Sequence, residues 1–271
     1  MSMIRKSKLI KRTSLGLLVI PILLLCFLIL SCGQDSIFYD ISHEPEPKSP
    51  LISGNPTNIV LAGNELFVGS RMGSRIFRYG GADGRNPQWS SMPTPEGSLG
   101  DLASDGVYLY ALVFPNGNPL ASSVIHRFNI ERNTWDQDYT NGVFSIQTIF
   151  GIDGRIFAGA MFREDHQNFA ILYLAPNTLF LTPILNNTSL LTGAAGTAEE
   201  AYLSTAGAGI FRYSNDSLET RAVSGTEDAN ITGIIDTGGS IVAVSSNGTV
   251  YFRTAQGAFS TFSARFTFTG A

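Results

Sequence analysis

A chain of 271 residues, 44% of them hydrophobic, is long enough to bury one sizeable core and leaves little for a second domain. The formal charge is −4, but all five cations before Cys32 (Arg5, Lys6, Lys8, Lys11 and Arg12) belong to an N-terminal leader, so the remainder carries a net −9. A surface of that sign repels phosphate backbones and argues against nucleic acid as a partner.

The leader comes first. Residues 1–12 are basic, residues 15–30 are apolar apart from Gly16 and Pro21, and Ser31-Cys32-Gly33 follows at once. A basic stretch, an apolar stretch and small residues in that order form a secretory signal, and the apolar part is short for a membrane span of about 20 residues. Ile29-Leu30-Ser31-Cys32 resembles the lipobox of bacterial lipoprotein precursors, in which an aliphatic and then a small residue lead into a cysteine. That resemblance implies a signal peptide over 1–31, cleavage before Cys32, and lipidation of Cys32. Such a product sits in the cell envelope, held outside the cytoplasm by acyl chains on its N-terminus. Gly33 in place of aspartate lacks the inner-membrane retention residue of some bacteria and favours the outer membrane. The other reading of these residues is an uncleaved N-terminal anchor. The second cysteine, Cys26, is also in the leader, so a domain cut before Cys32 contains no disulfide. Residues 32–53 read as a tether, because three prolines in Ser-His-Glu-Pro-Glu-Pro-Lys-Ser-Pro disfavour helix and sheet.

From residue 54 onward one pattern recurs. A turn precedes an apolar run at Gly63-Asn64-Glu65, Asp105-Gly106, Asp153-Gly154, Glu199-Glu200 and Gly238-Gly239. The aligned residues of those runs are Phe67, Tyr110, Phe157, Tyr202 and Val242. A second run follows each, led by Ile76, Ile125, Ile171, Ile210 and Val250. Opening strands are expected at 57–61, 99–104, 144–149, 190–194 and 231–235. Closing strands are expected near 88–92, 134–138, 179–185, 218–223 and 258–262. Four short strands repeating every 40 to 50 residues are the mark of propeller blades, which bury their faces by stacking around an axis. The expected fold is an all-β propeller of about five four-stranded blades over 54–271. Thr269-Gly270-Ala271 repeats the opening Thr192-Gly193-Ala194 and Thr232-Gly233-Ile234, so a truncated six- or seven-bladed ring is an alternative; Ile37–Tyr39 could also supply a closing strand. A solenoid or sandwich is the other all-β reading.

Phe128-Asn129-Ile130-Glu131-Arg132-Asn133-Thr134-Trp135 is similar to the stretch of kelch-type blades in which an aromatic, a turn and a tryptophan link the third strand to the fourth. Tyr79 to Trp89 is a looser copy. The other units lack the tryptophan, and the glycine doublet of kelch blades is replaced by Val68-Gly69-Ser70 and Ala158-Gly159-Ala160. The resemblance implies a propeller of the kelch-like kind.

Candidate chemistry is sparse. His43, His126 and His166 have no ligand-type spacing, no G-x-S-x-G stands near a histidine, and the Asp-Gly pairs at Asp83, Asp105 and Asp153 read as turns. No cofactor is expected. Arg78, Arg127 and Arg212 share one position in three units. They would form an axial anion-binding ring, or else line a solvated strand face with their stems covering apolar surface. The long hairpins 114–123 and 161–168 place Pro115, Leu120, Met161, Phe162 and Arg163 as candidate binding-loop residues, since loops on a rigid scaffold carry recognition. The expected function is a binding module with a protein or glycan partner. The alternatives are a saccharide-active enzyme at the axial funnel, using carboxylates such as Asp101, Glu164, Asp165, Glu199 or Glu200, and an envelope assembly factor. The latter is similar in layout to the propeller lipoproteins of outer-membrane barrel assembly but shows none of their blade motifs.

Overall fold

The computed structural model describes residues 55–80, 88–174, 178, 180–197, 199–254 and 259–263. The leader, Cys32, the tether with Ile37–Tyr39, and the terminal Thr269-Gly270-Ala271 lie outside the described residues.

Twenty strands form five antiparallel sheets in which each strand pairs with its neighbour in sequence. Blade 1 is β1 (Pro56–Ala62), β2 (Glu65–Ser70), β3 (Arg75–Gly80) and β4 (Gln88–Met92). Blade 2 is β5 (Ser98–Ser104), β6 (Tyr108–Phe114), β7 (Val124–Asn129) and β8 (Thr134–Thr140). Blade 3 is β9 (Phe144–Ile152), β10 (Arg155–Phe162), β11 (Phe169–Leu174) and β12 (Leu181–Thr188). Blade 4 is β13 (Leu191–Gly196), β14 (Glu200–Thr205), β15 (Gly209–Ser214) and β16 (Ser217–Leu218). Blade 5 is β17 (Ile231–Asp236), β18 (Ser240–Ser245), β19 (Thr249–Thr254) and β20 (Ser260–Ser263). The fold is that of a β-propeller.

The register reproduces the sequence alignment position by position. Phe67, Tyr110, Phe157, Tyr202 and Val242 lie opposite Arg78, Arg127, Tyr173, Arg212 and Phe252 respectively. Residues paired across antiparallel strands share a face, so these ten side chains stand on the same side of their blades. The leading aliphatics Ile76, Ile125, Ile171 and Ile210 are fully buried, because each faces the next blade. Tyr79 pairs with Trp89 and Phe128 with Trp135 as cross-strand neighbours, with ring centroids 5.0 and 5.1 Å apart.

One irregularity is common to all blades. The first strand bulges opposite Gly69, Leu112, Gly159, Ser204 and Val244, a device that adds twist and turns the strand where it nears the axis. Turns of successive blades are bonded together on the opposite rim: Gly63 N donates to Gly106 O and Gly154 N to Asp105 O. Gly151 sits where a Cβ would meet Ser104 O at 1.7 Å, so only glycine allows blade 3 to approach blade 2 there.

The closing strand expected over 218–223 is only Ser217–Leu218. Beyond it the chain leaves the sheet as an irregular loop, keeping Glu219 N to Arg212 O and Val223 N to Ile210 O, while Thr226 Oγ1 accepts from Ile210 N.

Four apolar cores occupy the spaces between successive blades, and the first strands pack in order, β1 on β5, β5 on β9, β9 on β13 and β13 on β17. The expected ring is an open arc among the described residues. Ile59 and Leu61 of blade 1 are 69% and 61% exposed, and Ile235 and Phe262 of blade 5 are 60% and 62% exposed.

Candidate functional site

The second and third strands of every blade are joined on one rim, which also carries the links between blades. Both long hairpins leave from it. The loop between β6 and β7 is fixed to the opening strand of blade 3: Pro119 O accepts from Ser145 Oγ at 2.5 Å and Gln147 Nε2 at 2.9 Å, and Ser123 Oγ accepts from Ile146 N. The loop between β10 and β11 reaches the same strand. Arg163 donates through its backbone N to Val143 O at 3.0 Å and through Nε to Phe144 O at 3.2 Å. The loops therefore converge on residues 143–147 and are held there by at least five hydrogen bonds.

The candidate loop residues divide. Pro115 and Leu120 are exposed, Leu120 by 46%. Phe162 is half-buried with its ring 4.6 Å from Phe144. Met161 corrects the sequence expectation: it is the seventh residue of β10, lies opposite Ser145 and Phe169, and is buried in the strand, because the hairpin pairing runs on to Phe162. Val143, 58% exposed, joins the patch unforeseen. Its signal is an apolar residue inside a polar turn, where Asn141 Oδ1 accepts from the N–H groups of both Val143 and Phe144.

The three arginines lie on third strands, outside the first strands that line the axis, so they do not form an axial ring. Each is ion-paired: Arg78 with Glu65 at 2.5 Å, Arg127 with Asp136 at 2.9 Å, and Arg212 with Glu200 and Glu219 at 2.5 and 3.2 Å. The Arg127 guanidinium also lies over the Tyr108 ring, 4.4 Å from its centroid. All of these ion pairs are made within the arginine's own blade unit.

The axial cavity, about 290 Å³, is bounded by the first strands through Asn58 to Leu61, Leu102 to Ser104, Ile149 to Gly151, and Ala194. Beside it, polar groups at or next to the bulges of the first strands clamp neighbouring blades. Asn58 Nδ2 donates to Leu102 O at 2.5 Å, the Asp101 carboxylate accepts from Leu102 N and Ile149 N, and Thr148 Oγ1 donates to Leu191 O at 3.1 Å. Burial pushes Asp101 up to about 6, against backbone hydrogen bonds and the Arg71 charge, which lower it. A carboxyl of that kind could exchange protons near neutrality, but among the described residues it has no second carboxylate beside it. Of the other expected carboxylates, Asp165 bonds Gln167 N and Asn168 within its own loop, and Glu200 bridges Arg212 and Arg253. His126 pairs with Asp138 across the strands at 2.5 Å. Among the described residues no three His, Cys, Asp or Glu side chains are grouped as metal ligands.

A second concavity of about 390 Å³ opens between blades 4 and 5 on the opposite rim, bounded by Gly196, Glu200, Tyr202, Asp236, Gly238 and Arg253 among others. Arg253 stands there where blades 2, 3 and 4 present Phe128, Leu174 and Tyr213 to the blade before them. Its guanidinium covers the Tyr202 ring at 4.6 Å, and the buried Tyr202 hydroxyl has no hydrogen-bond partner. In blade 2 the equivalent Tyr110 Oη donates to Asp105 Oδ2 at 2.8 Å; blade 4 has Thr197 in the place of that aspartate.

No family model matches the sequence, and no curated protein matches it. Among solved structures the chain is similar to the WD40 β-propeller domain of Doa1, with a TM-score of 0.52 over 78% of this chain and 69% of that one, at 13% identity. At that identity the likeness is one of fold, and it agrees with the five stacked antiparallel sheets: this chain is a β-propeller.

Proposed function

We propose that the protein is a lipid-anchored module of the cell envelope that captures a protein partner through the rim formed by its two long hairpins. The observation that carries this is the convergence of both loops on residues 143–147, where they present Pro115, Leu120 and Val143 on a hydrogen-bonded support. Apolar side chains held out by a braced scaffold lose little freedom on binding, which is the condition for a recognition surface. Attachment at Cys32 rests on the lipobox-like Ile29-Leu30-Ser31-Cys32 and on the tether after it. A kelch-like kinship rests on the two aromatic–tryptophan pairs. Enzymatic action on a saccharide is the less favoured reading, because among the described residues Asp101 stands without the second carboxylate that glycoside hydrolysis requires.

The test has two arms. A photo-reactive amino acid at Leu120 or Val143 should cross-link one discrete partner in intact cells, and the same probe at exposed Glu131 on the opposite rim should not. Equal labelling from both positions would remove the rim as the site. Radiolabelled palmitate should enter the wild-type chain and be absent from Cys32→Ala; label retained in that variant would remove the anchor.

A further inference from the structure

We propose that the concavity between blades 4 and 5, on the rim opposite the two long hairpins, binds a neutral saccharide. Its volume of about 390 Å³ lies within the span of small-molecule sites, roughly 300 to 1,000 Å³. The two turns that flank it each bond within themselves, which leaves the gap between them open. Thr197 N donates to Glu200 O and Glu200 N to Thr197 Oγ1, while Gly238 N donates to Asp236 Oδ1 and Thr237 N to Ser240 O. Between blades 1 and 2, and between blades 2 and 3, the corresponding turns bond to each other instead, through Gly63 N to Gly106 O and Gly154 N to Asp105 O.

One hydrogen-bonding position at the wall of this concavity is unfilled. In blade 2 the Asp105 carboxylate accepts from Tyr108 N through Oδ1 at 2.7 Å and from Tyr110 Oη through Oδ2 at 2.8 Å. In blade 4 the same three places are held by Thr197, Glu200 and Tyr202, and Thr197 Oγ1 takes over the first bond only, accepting from Glu200 N at 3.4 Å. The second carboxylate oxygen has no counterpart there. The hydroxyl of Tyr202, a residue 2% exposed, is therefore left without an acceptor among the described residues. Thr197 is exposed, so its side chain can turn between staggered wells at little cost and admit a ligand oxygen to that place. The charges around the position select the ligand. Arg253 brings a guanidinium, held by Glu200 at 3.2 Å, and Glu200 and Asp236 bring two carboxylates. An anion would answer Tyr202 and Arg253 but would stand against both carboxylates, and a cation has no lone pair for either donor. A hydroxyl group both accepts and donates. A ring bearing adjacent hydroxyls thus satisfies Tyr202, Arg253 and Asp236 together, and Ile241 supplies an apolar wall for its C–H face.

Saturation-transfer NMR on the full chain in detergent tests the site, with D-glucose, D-galactose, D-mannose and N-acetylglucosamine as probes. At least one of these sugars should receive magnetisation from the protein, and sodium acetate and free glycine should receive none. Thr197→Asp rebuilds the blade 2 arrangement, giving Tyr202 its acceptor and filling the place meant for the ligand. It should abolish the sugar signal while leaving the thermal midpoint equal to that of wild type or higher. Tyr202→Phe, which removes the hydroxyl, should weaken the same signal without lowering the midpoint. No transfer to any of the four sugars, or transfer to acetate or glycine in their place, overturns the proposal. So does a sugar signal undiminished in Thr197→Asp or in Tyr202→Phe, and so does a signal lost only because both variants unfold.

Discussion

Asp101 illustrates how one side chain can serve architecture at an electrostatic cost. It reaches from the bulge of blade 2 to backbone N–H groups including that of Ile149 in blade 3, and burial raises its pKa from 3.8 to about 6. Below about pH 3 the group is protonated in both folded and unfolded chains and costs nothing. As pH rises toward 6 the unfolded chain releases its proton first, so this residue lowers stability, by about 2 to 3 kcal/mol above pH 7. Asp101→Asn should therefore be more stable than wild type at pH 7.5 by about 2 kcal/mol in urea unfolding, with the difference vanishing at about pH 3. A difference independent of pH would place the effect elsewhere. The paired tyrosines give a second comparison. Tyr110→Phe breaks the bond to Asp105 and should cost about 1 kcal/mol, whereas Tyr202→Phe removes a buried hydroxyl without a partner and should be neutral or stabilising by about 1 kcal/mol. Equal losses in thermal melts would contradict the two environments.

Among the elements, the second and third strands were legible because apolar runs bounded by turns announce both their ends. The positions aligned from Phe67 to Val242 are the ones the register pairs with Arg78 through Phe252. The fourth strand of blade 4 was not legible. Residues 218–223 have strand-forming character, but the pairing of β15 is taken over by single bonds from Glu219 and Val223 and by the Thr226 side chain. Met161 was misplaced for a related reason: turn residues fix where a hairpin loop lies only to within the length of continued pairing, and β10 runs two residues past Ala160. Among the described residues, limited proteolysis should cut first within residues 219–230, most of whose backbone lies outside a sheet. First cleavage inside the loop at 115–123, braced through Pro119 and Ser123, would contradict the account of that loop as a rigid support.

For the molecule as a whole, blade number and stacking order could be read from the repeat, but the open ends could not. Ile235, Val244 and Phe262 are as apolar as Ala103, Leu112 and Met92, their buried counterparts, so residue type carries no record of whether a neighbour is there to cover them. The same is true of the concavity between blades 4 and 5, which depends on Arg253 standing in for an aromatic across an interface far apart in sequence. The arginine positions were correctly aligned, while their ion-pair partners, such as Asp136 and Glu219, became evident only from the fold.

A row of blades with two termini has a thermal history that a closed circle lacks. Among the described residues, blades 2, 3 and 4 are each packed by a blade on both sides and the first and last by one, so warming should melt the array inward from its extremities. Amide exchange would then slow progressively from Val242 in β18 toward Phe157 in β10, at the middle of the row.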